Sequence, residues 1–511
     1  MRQAVKRPSA SVDSVFVGCT SKLYNVIYAM FKETVGQLRS VFLNDRKLDL
    51  PLLGLFVLIN LIVLINALVH NPKIGYDAVH HLTYLQVLFD RLPAQQDTPE
   101  FFSPPLPYIL PAVFDKACEI VRNDQPHIPL RNDSYAIFSC RTTDGKFAQY
   151  LNVLLSIATL YFVLLICNTT RPGNRFYKIS TLALISVLTV YYKTFSQVRG
   201  EPYVIFFVVL SAYLLLKLLA TPSQKSTIVA LGISLGLLIL SRQWGFFIFP
   251  AIIFAGVWLL TKDYLNARQL IKPIIMTFIL AMLVGGWFYL HLYIQYGTIT
   301  AFNIENSQRL PLDDFLPLIR KTRIKNLDLF KEPIRPNFVG EPVPIFYSDT
   351  WGDYWGFFTY IKYKSTYGEQ GFGNANEMGI YLGRVNLFSV IPTAVLGAGW
   401  LLAALRLFNF KKSFSMDDAG ITLFFFIATT SIIGFTVFII NYYTLDDSTL
   451  KASYILQFFV VLTFLGADFL ELVRKSFRPL YALALILLGF VFLHNLPAFI
   501  TRYILFPWGQ G

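Results

Sequence analysis

Charge is scarce in this chain. Only 15% of its 511 residues are Asp, Glu, Lys or Arg, whereas a soluble protein carries roughly a quarter. Hydrophobic residues make up 55% of the sequence, and the mean hydropathy is +0.51. These values exclude a water-soluble fold and indicate a protein of the lipid bilayer.

Signatures of several enzyme and binding classes are also missing. The sequence has no P-loop, no dinucleotide fingerprint and no glycine-rich phosphate cradle, which argues against a nucleotide-sugar donor or coupling to ATP. No internal repeat is visible, which weakens the case for an inverted-repeat transporter. The net charge is +13, but Lys and Arg collect in short loops between apolar runs. Membrane orientation therefore explains the charge, and no nucleic-acid partner is expected.

Cysteine is rare as well, with four in the chain, and their spacing excludes a clustered metal site. Cys118 and Cys140 fall within one loop that we place outside the cytoplasm. A disulfide between them and two unpaired thiols are both compatible with the sequence.

Apolar runs predict eleven membrane-crossing helices, for which about 20 residues each are typical. The predicted spans are 50–69, 148–168, 179–195, 203–220, 227–241, 244–261, 273–294, 385–405, 419–442, 453–472 and 479–497. If the N-terminus is cytoplasmic, the short loops rich in Lys and Arg all fall inside, as the positive-inside rule requires. We therefore expect an all-α polytopic membrane protein.

The segments outside the spans divide between the two membrane faces. Residues 1–49 are predicted to be a basic cytoplasmic segment with an amphipathic helix in the interface, although a disordered basic tail fits the same composition. Residues 50–497 would form the membrane domain. Its long loops 70–147 and 295–384 fall on the external side, as does the tail 498–511.

The first external loop opens with a carboxylate and two imidazoles. His80 and His81 follow Asp77 by three and four residues, a spacing that puts an acid and a histidine on one helix face. Such a pair could act as a general base, contact a phosphate or bind a metal ion. A helix-starting Asp followed by ordinary loop histidines is the alternative.

Motifs farther along the chain occur in a consistent order and on one membrane side. They are Asp77, Phe102–Tyr108, Gln197–Pro202, Leu240–Trp244, Gly286–Gly297, Phe346–Trp355 and Lys451–Tyr454. Together they resemble the GT-C glycosyltransferases, which include the protein O-mannosyltransferases, the bacterial lipid A aminoarabinose transferase and RgtA-like sugar transferases. The resemblance covers roughly residues 50–470 and implies a GT-C-like membrane fold. Many members carry a second acid where this chain has Ala78, which leaves the subfamily open.

The resemblance implies Asp77 as the catalytic base for the acceptor hydroxyl. Because a phosphate leaves readily, one carboxylate base suffices, unlike the two carboxylates of glycoside hydrolysis. Arg199, Arg242 and Lys451 lie at external span ends, where they would hold the donor phosphate. Cations at span ends also reach the interface without any ligand, which is the alternative for all three. Glu201 is expected only to pair with Arg199.

Other candidates would contact the substrate or a metal ion. The predicted substrate contacts are His80, His81, Tyr108, His291, Asp349, Trp351 and Tyr454. The histidines could hold a divalent cation with Asp77, although hydrogen-bonded interface histidines are the alternative. No other cofactor is expected.

These features together predict an inverting glycosyltransferase. It would move a sugar from a polyprenyl- or dolichyl-phosphate carrier to the hydroxyl of a glycan, lipid or protein outside the cytoplasm. The membrane would be the cell (inner) membrane, or the endoplasmic reticulum in a eukaryotic host. A flippase for lipid-linked sugars and a non-catalytic scaffold are the alternatives. Span centres that are nearly free of charge favour the enzyme over the transporter.

Overall fold

The computed structural model describes residues 41–44, 47–75, 77–121, 145–222, 224–262, 267–302, 325–331, 333, 338, 341–352, 375–408, 415–442 and 450–501. The chain divides into two compact units, Met1–Leu53 and Gly54–Gly511. In the first unit, Leu43–Asn44 pairs antiparallel with Lys47–Leu48.

Helices make up all the regular structure in the described part of the second unit. The α-helices are α1 Leu50–Val69, α2 Ala78–Leu88, α3 Leu106–Val121, α4 Lys146–Thr170, α5 Arg175–Ser186, α6 Thr189–Phe195, α7 Glu201–Ala220, α8 Lys225–Ile239, α9 Ile248–Thr261, α10 Ala267–Tyr296, α11 Pro342–Trp351, α12 Ala375–Phe388, α13 Val390–Phe408, α14 Met416–Asn441, α15 Leu456–Ser476 and α16 Arg478–Phe499. Short 3-10 helices cover Gln243–Phe247, Lys325–Phe330 and Ala452–Ile455. The all-α polytopic prediction is confirmed.

Nine helical segments within the described residues are long and apolar enough to cross a membrane. Each overlaps a predicted span, and the first, Leu50–Val69, has the predicted bounds. The other two predicted spans differ from the structure. The span expected at 227–241 is α8, which has only 15 residues, and the span expected at 179–195 is divided between α5 and α6.

The break between α5 and α6 occurs at Val187 and Leu188, where the sequence has neither glycine nor proline. A broken helix exposes carbonyl groups that lipid cannot satisfy, so such breaks occur only inside protein. Here the Tyr192 hydroxyl donates to the carbonyl of Ser186 at 2.7 Å, and every residue of α6 is buried. Tertiary contacts therefore stabilise a break that local propensity does not predict.

Helix α15 lies at the centre of the bundle. Within its apolar segment 89% of the residues are buried, against 28% for the segment containing α16, and α15 packs against α5, α13 and α14. Its buried acid Asp468 is paired with Arg171 and, at 2.8 Å, with Arg406. Charges inside membrane helices need such partners. Since Arg171 also binds Asp417 at 2.7 Å, this network joins α4, α13, α14 and α15.

The opposite ends of several helices converge to form the candidate site. These are the end of α1, the start of α7, the junction between α8 and α9, and the segment that leads into α15. The predicted alternation of spans assigns these ends to a single membrane face. Contacts between residues 77, 199, 242 and 451, described below, bring them together.

The cysteine pair and the chain ends are only partly described. Cys118 is disulfide-bonded. Its predicted pairing with Cys140 stays a prediction, because Cys140 lies outside the described residues. The amphipathic helix predicted within 1–49 and most of the tail 498–511 also lie outside them.

Close packing of α8 against α10 predicts a specific glycine effect. A Cβ atom on Gly285 would lie 2.4 Å from the carbonyl oxygen of Gly236 and 2.4 Å from Ile239 Cγ1, and backbone cannot give way cheaply. Gly285→Ala should destabilise the protein by about 1–3 kcal/mol, measured as a lower thermal unfolding midpoint in detergent. A Cβ on Gly256 would meet nothing within 4 Å, so Gly256→Ala is the matched control and should not lower the midpoint. Equal midpoints for both variants would contradict this packing.

Candidate active site

Asp77 is presented by a tight linker between α1 and α2. Gly75 has φ +131° and a Cβ there would lie 2.7 Å from the Gln197 side chain, so the turn requires glycine. Asp77 itself adopts the left-handed conformation, with φ 59°, which is uncommon outside glycine but tolerated by Asp. Its carbonyl accepts from the amide of His81 at 3.0 Å. The Asp77 carboxylate makes no capping hydrogen bond to α2 and is left to pair with Lys451.

The Asp77 carboxylate forms an ion pair with the Lys451 ammonium. The Lys451 side chain is only 6% exposed, whereas that of Asp77 is 29% exposed. The segment carrying Lys451 is held by Asp349, whose Oδ2 accepts from the amide of Ala452 at 2.6 Å. Lys451 also lies over the ring of Tyr454, 5.5 Å from its centroid. One side of the Asp77 carboxylate is therefore accessible, and the buried Lys451 lies on its other side.

Arg199 and Arg242 are tied together by Glu201. Arg199 donates through Nε and Nη2 to the two oxygens of Glu201, at 2.6 and 3.1 Å, which confirms the expected pairing. Arg242 donates through Nε to the same carboxylate at 3.4 Å. Gly200 permits this approach, since a Cβ there would lie 2.5 Å from the carbonyl oxygen of Ser241. The start of α7 is thereby fixed against the junction of α8 and α9.

Glu100 extends the network into the first loop. Arg242 Nη1 donates to Glu100 Oε2 at 2.7 Å, and the Ser103 hydroxyl donates to the same oxygen at 2.5 Å. The Glu100 side chain is 9% exposed and that of Glu201 is 1% exposed. Buried carboxylates require such partners, because an unpaired charge in low dielectric is costly.

His81 lies buried between Glu100 and Tyr108. The Tyr108 hydroxyl is 2.8 Å from His81 Nδ1, and Glu100 Oε2 is 3.8 Å from the same nitrogen. Among the described residues, no hydrogen-bond partner meets the buried Nε2. Tyr108 therefore engages one ring nitrogen, and the other is buried without a partner among the described residues.

Three carboxylates and three cations balance one another in this network, which comprises Asp77, Glu100, Glu201, Lys451, Arg199 and Arg242. Burial would raise the pKa of Asp77, but the charge of Lys451 holds this pKa well below its usual range. Burial likewise would lower the pKa of Lys451, but Asp77 raises it. For His81, burial lowers the pKa to about 4. At neutral pH Asp77 is therefore ionised and His81 is neutral.

An aromatic groove lies beside the charged network. Its volume is about 510 Å³, and Trp244, Phe302, Phe438 and Tyr442 are among its lining residues. Trp244 also stacks on Tyr454, with ring centroids 4.5 Å apart. Since Tyr454 contacts Lys451 on its charged side, two aromatic rings separate the groove from the ion pair of Asp77.

The structure gathers most, but not all, of the predicted site residues. Asp349 and Tyr454 support Lys451, and the buried Trp351 lies at the end of α11, two residues beyond Asp349. His80 is exposed, and its carbonyl accepts from the Thr98 hydroxyl at 3.0 Å. His291 lies within α10 and makes none of the network contacts described above. The functional roles of all these residues stay predictions.

The sequence patterns did not indicate Glu100, and they included Ser103 only as part of the motif that ends at Tyr108. Both residues precede the prolines that lead into α3. The separation of Glu100 by three residues from Ser103, next to that motif, was the local signal. Arg242, the partner of Glu100, lies 142 residues farther along the chain, and no local pattern indicates such a contact.

Asp77, His81 and Glu100 are the described residues that could hold a metal ion. One ligand atom from each lies within 4.8 Å of the others. The donor set of two carboxylates and one imidazole suits Mg²⁺, Mn²⁺ or Zn²⁺. The residues therefore fit a divalent cation, in competition with Lys451 and Arg242 for the carboxylates.

No protein-family model matches this chain, and no curated protein sequence matches it. Among solved structures it is similar to the oligosaccharyltransferase of Archaeoglobus fulgidus in its complex with Zn and sulfate, with a TM-score of 0.42 and 15% sequence identity. The match covers 88% of this chain and 52% of the archaeal one, so this chain spans about half the length of that protein. The archaeal enzyme is a member of the GT-C group that the sequence motifs resemble.

Loss of Arg242 should destabilise the protein because it leaves Glu100 and Glu201 buried with one cation fewer. Arg242→Met is expected to cost about 3–5 kcal/mol, as for other broken buried pairs, seen as a lower thermal unfolding midpoint. Arg91 pairs with Asp97 but is 53% exposed, so Arg91→Met is the matched control and should change the midpoint little. If both variants shift the midpoint equally, the buried network does not hold the site together.

Proposed function

We propose that this chain is a membrane glycosyltransferase that moves a sugar from a polyprenyl- or dolichyl-phosphate carrier to an acceptor hydroxyl on the extracytoplasmic face. The observation that carries the proposal is the partly exposed Asp77 carboxylate, held against Lys451 at the edge of a buried cationic network. The disulfide at Cys118 supports an oxidising compartment for this loop.

Exposure distinguishes Asp77 from the other acids. Its side chain is 29% exposed, whereas Glu100 and Glu201 are 9% and 1% exposed and neutralise arginines. An acceptor hydroxyl can therefore reach Asp77 but not the other two. Lys451 keeps the carboxylate ionised, so it can accept the hydroxyl proton as the sugar leaves its phosphate. Attack from the side opposite the phosphate would invert the anomeric centre.

The leaving phosphate requires positive charge. Lys451 is the cation closest to Asp77, and Arg199 lies behind it, 5.8 Å from the centroid of the shared Tyr454 ring. Arg199 and Arg242 donate to carboxylates here, so we assign them a fixed positive field rather than direct phosphate contacts. A field that is already oriented needs no rearrangement when charge develops on the phosphate.

The aromatic groove suits the lipid of the donor. Ligand sites for apolar groups are concave and lined by aromatic side chains, and about 510 Å³ is available here. Trp244 belongs to this groove and stacks on Tyr454. The isoprenoid chain would lie in the groove, and its phosphate would reach the cations across these rings.

Asp77→Asn should reduce sugar transfer by about 100- to 10,000-fold, the usual contribution of a general base, while donor binding is retained. The measurement is release of lipid phosphate from a polyprenyl-phosphate sugar in the presence of candidate acceptors. Asp97 lies in the same loop, in the exposed pair with Arg91, so Asp97→Asn is the control and should retain activity.

The same assay separates the alternatives. A flippase would move the lipid-linked sugar between leaflets without releasing lipid phosphate, and a scaffold would do neither. Unchanged turnover in Asp77→Asn removes Asp77 from the mechanism, and wild-type protein that releases no lipid phosphate overturns the proposed function.

We also propose that Asp77, His81 and Glu100 hold a divalent cation, which would supply further positive charge for the phosphate. Chelation with EDTA should then lower transfer, and Mn²⁺ or Mg²⁺ should restore it. His81→Ala should weaken Mn²⁺ binding measured by calorimetry, by about 10-fold or more, because it removes the nitrogen ligand. His80→Ala is the control, since His80 is exposed and outside the cluster. Full activity after chelation, with no Mn²⁺ binding, would leave the triad as a hydrogen-bonded network.

A further inference from the structure

Helix α8 is too short to reach both faces of a bilayer beside its neighbour. Its 15 residues extend about 22 Å at 1.5 Å per residue, whereas the hydrocarbon core is about 30 Å thick. Helix α10 has 30 residues. A Cβ on Gly232 would meet Leu280, and one on Gly236 would meet Val284, so the two helices run parallel. The N-terminal end of α10 therefore extends beyond the first residue of α8.

The difference in length leaves a groove at the membrane face opposite Asp77. Its volume is about 710 Å³. Its walls include Ile228 and Val229 of α8 with Pro273 and Met276 of α10. Val229 is 46% exposed and Met276 49% exposed, so the groove opens laterally toward the acyl chains of the bilayer rather than into the protein.

Two lysines lie at the polar end of this groove. Lys225 begins α8, and Lys272 lies one turn before Met276 on α10. Within the described part of the chain, no acidic residue lines the groove and neither lysine forms an ion pair. Among the described residues, the groove therefore combines an exposed apolar wall with positive charge that no acidic side chain offsets.

We propose that this groove binds one anionic glycerophospholipid. The lipid phosphate pairs with Lys225 and Lys272, and one acyl chain lies along Ile228, Val229 and Met276. Basic pockets between membrane helices select anionic headgroups in this way. The donor carrier of the proposed transfer reaction is not the occupant, because the groove and Asp77 lie at opposite ends of the bundle. The lipid would complete the bilayer contact that the short α8 leaves open.

Native mass spectrometry of the full chain in detergent tests this proposal. Phosphatidylglycerol and phosphatidylcholine with identical acyl chains are added in turn, and we expect one phosphatidylglycerol to be retained preferentially. Each lysine contributes about 1 kcal/mol near an anionic headgroup, so Lys225→Gln with Lys272→Gln should weaken phosphatidylglycerol binding by roughly 30-fold. Lys262 and Lys475 lie at the same membrane face outside the groove, so the corresponding double Gln variant is the matched control and should bind like wild type.

A second variant tests the apolar wall without changing charge. Val229→Trp should occupy the groove and lower phosphatidylglycerol binding, while a thermal unfolding midpoint near that of wild type shows that the fold is intact. Equal retention of both lipids by wild type overturns the proposal. Equal loss of phosphatidylglycerol in the groove and control lysine variants also overturns it, because the lipid would then be attracted only by net charge.

Discussion

Charge removed from water must be paired, and this constraint organises the end of the molecule that holds the candidate site. Arg242 contacts both Glu100 and Glu201, so one side chain joins the first loop, the start of α7 and the junction of α8 with α9. Removing any member leaves a buried charge whose desolvation is no longer offset. These ion pairs also constrain the position of Asp77, because Asp77 pairs with Lys451 at the edge of the same network.

The exposure of the three carboxylates increases from Glu201 through Glu100 to Asp77, and this difference determines what each can do. Glu201 is closed in by two arginines, Glu100 by an arginine and a serine, and Asp77 by a lysine on one side only. Glu100 and Glu201 can fix the positions of the arginines but are too buried to contact a substrate. The outermost carboxylate can contact one, since its position is fixed while one side faces accessible space. Preorganised charge of this kind stabilises a developing anion without reorganisation.

Span alternation was enough to assign residues 77, 199, 242 and 451 to one membrane face, because apolar runs and basic loops are local patterns. Apart from the local pair of Arg199 with Glu201, the pairing of these charges could not be predicted in the same way. The contact of Lys451 with Asp77 crosses 374 positions of sequence, and Glu100 carried no stronger local signal than many loop acids. The break between α5 and α6 was also missed, since a tyrosine from the following helix, rather than glycine or proline, stabilises it.

The two ends of the bundle differ in a way that bears on transport. At the far end, Asp468 is 3% exposed and binds both Arg171 and Arg406, so the central helix α15 is locked to α4 and α13. A transporter must open alternately toward both faces, and opening there would separate paired charges in low dielectric. At the Asp77 end, a partly exposed acid and a wide aromatic groove lie on the surface of the same rigid bundle. A fold whose charges are locked at one end and partly exposed at the other is better suited to chemistry at one membrane face than to transport.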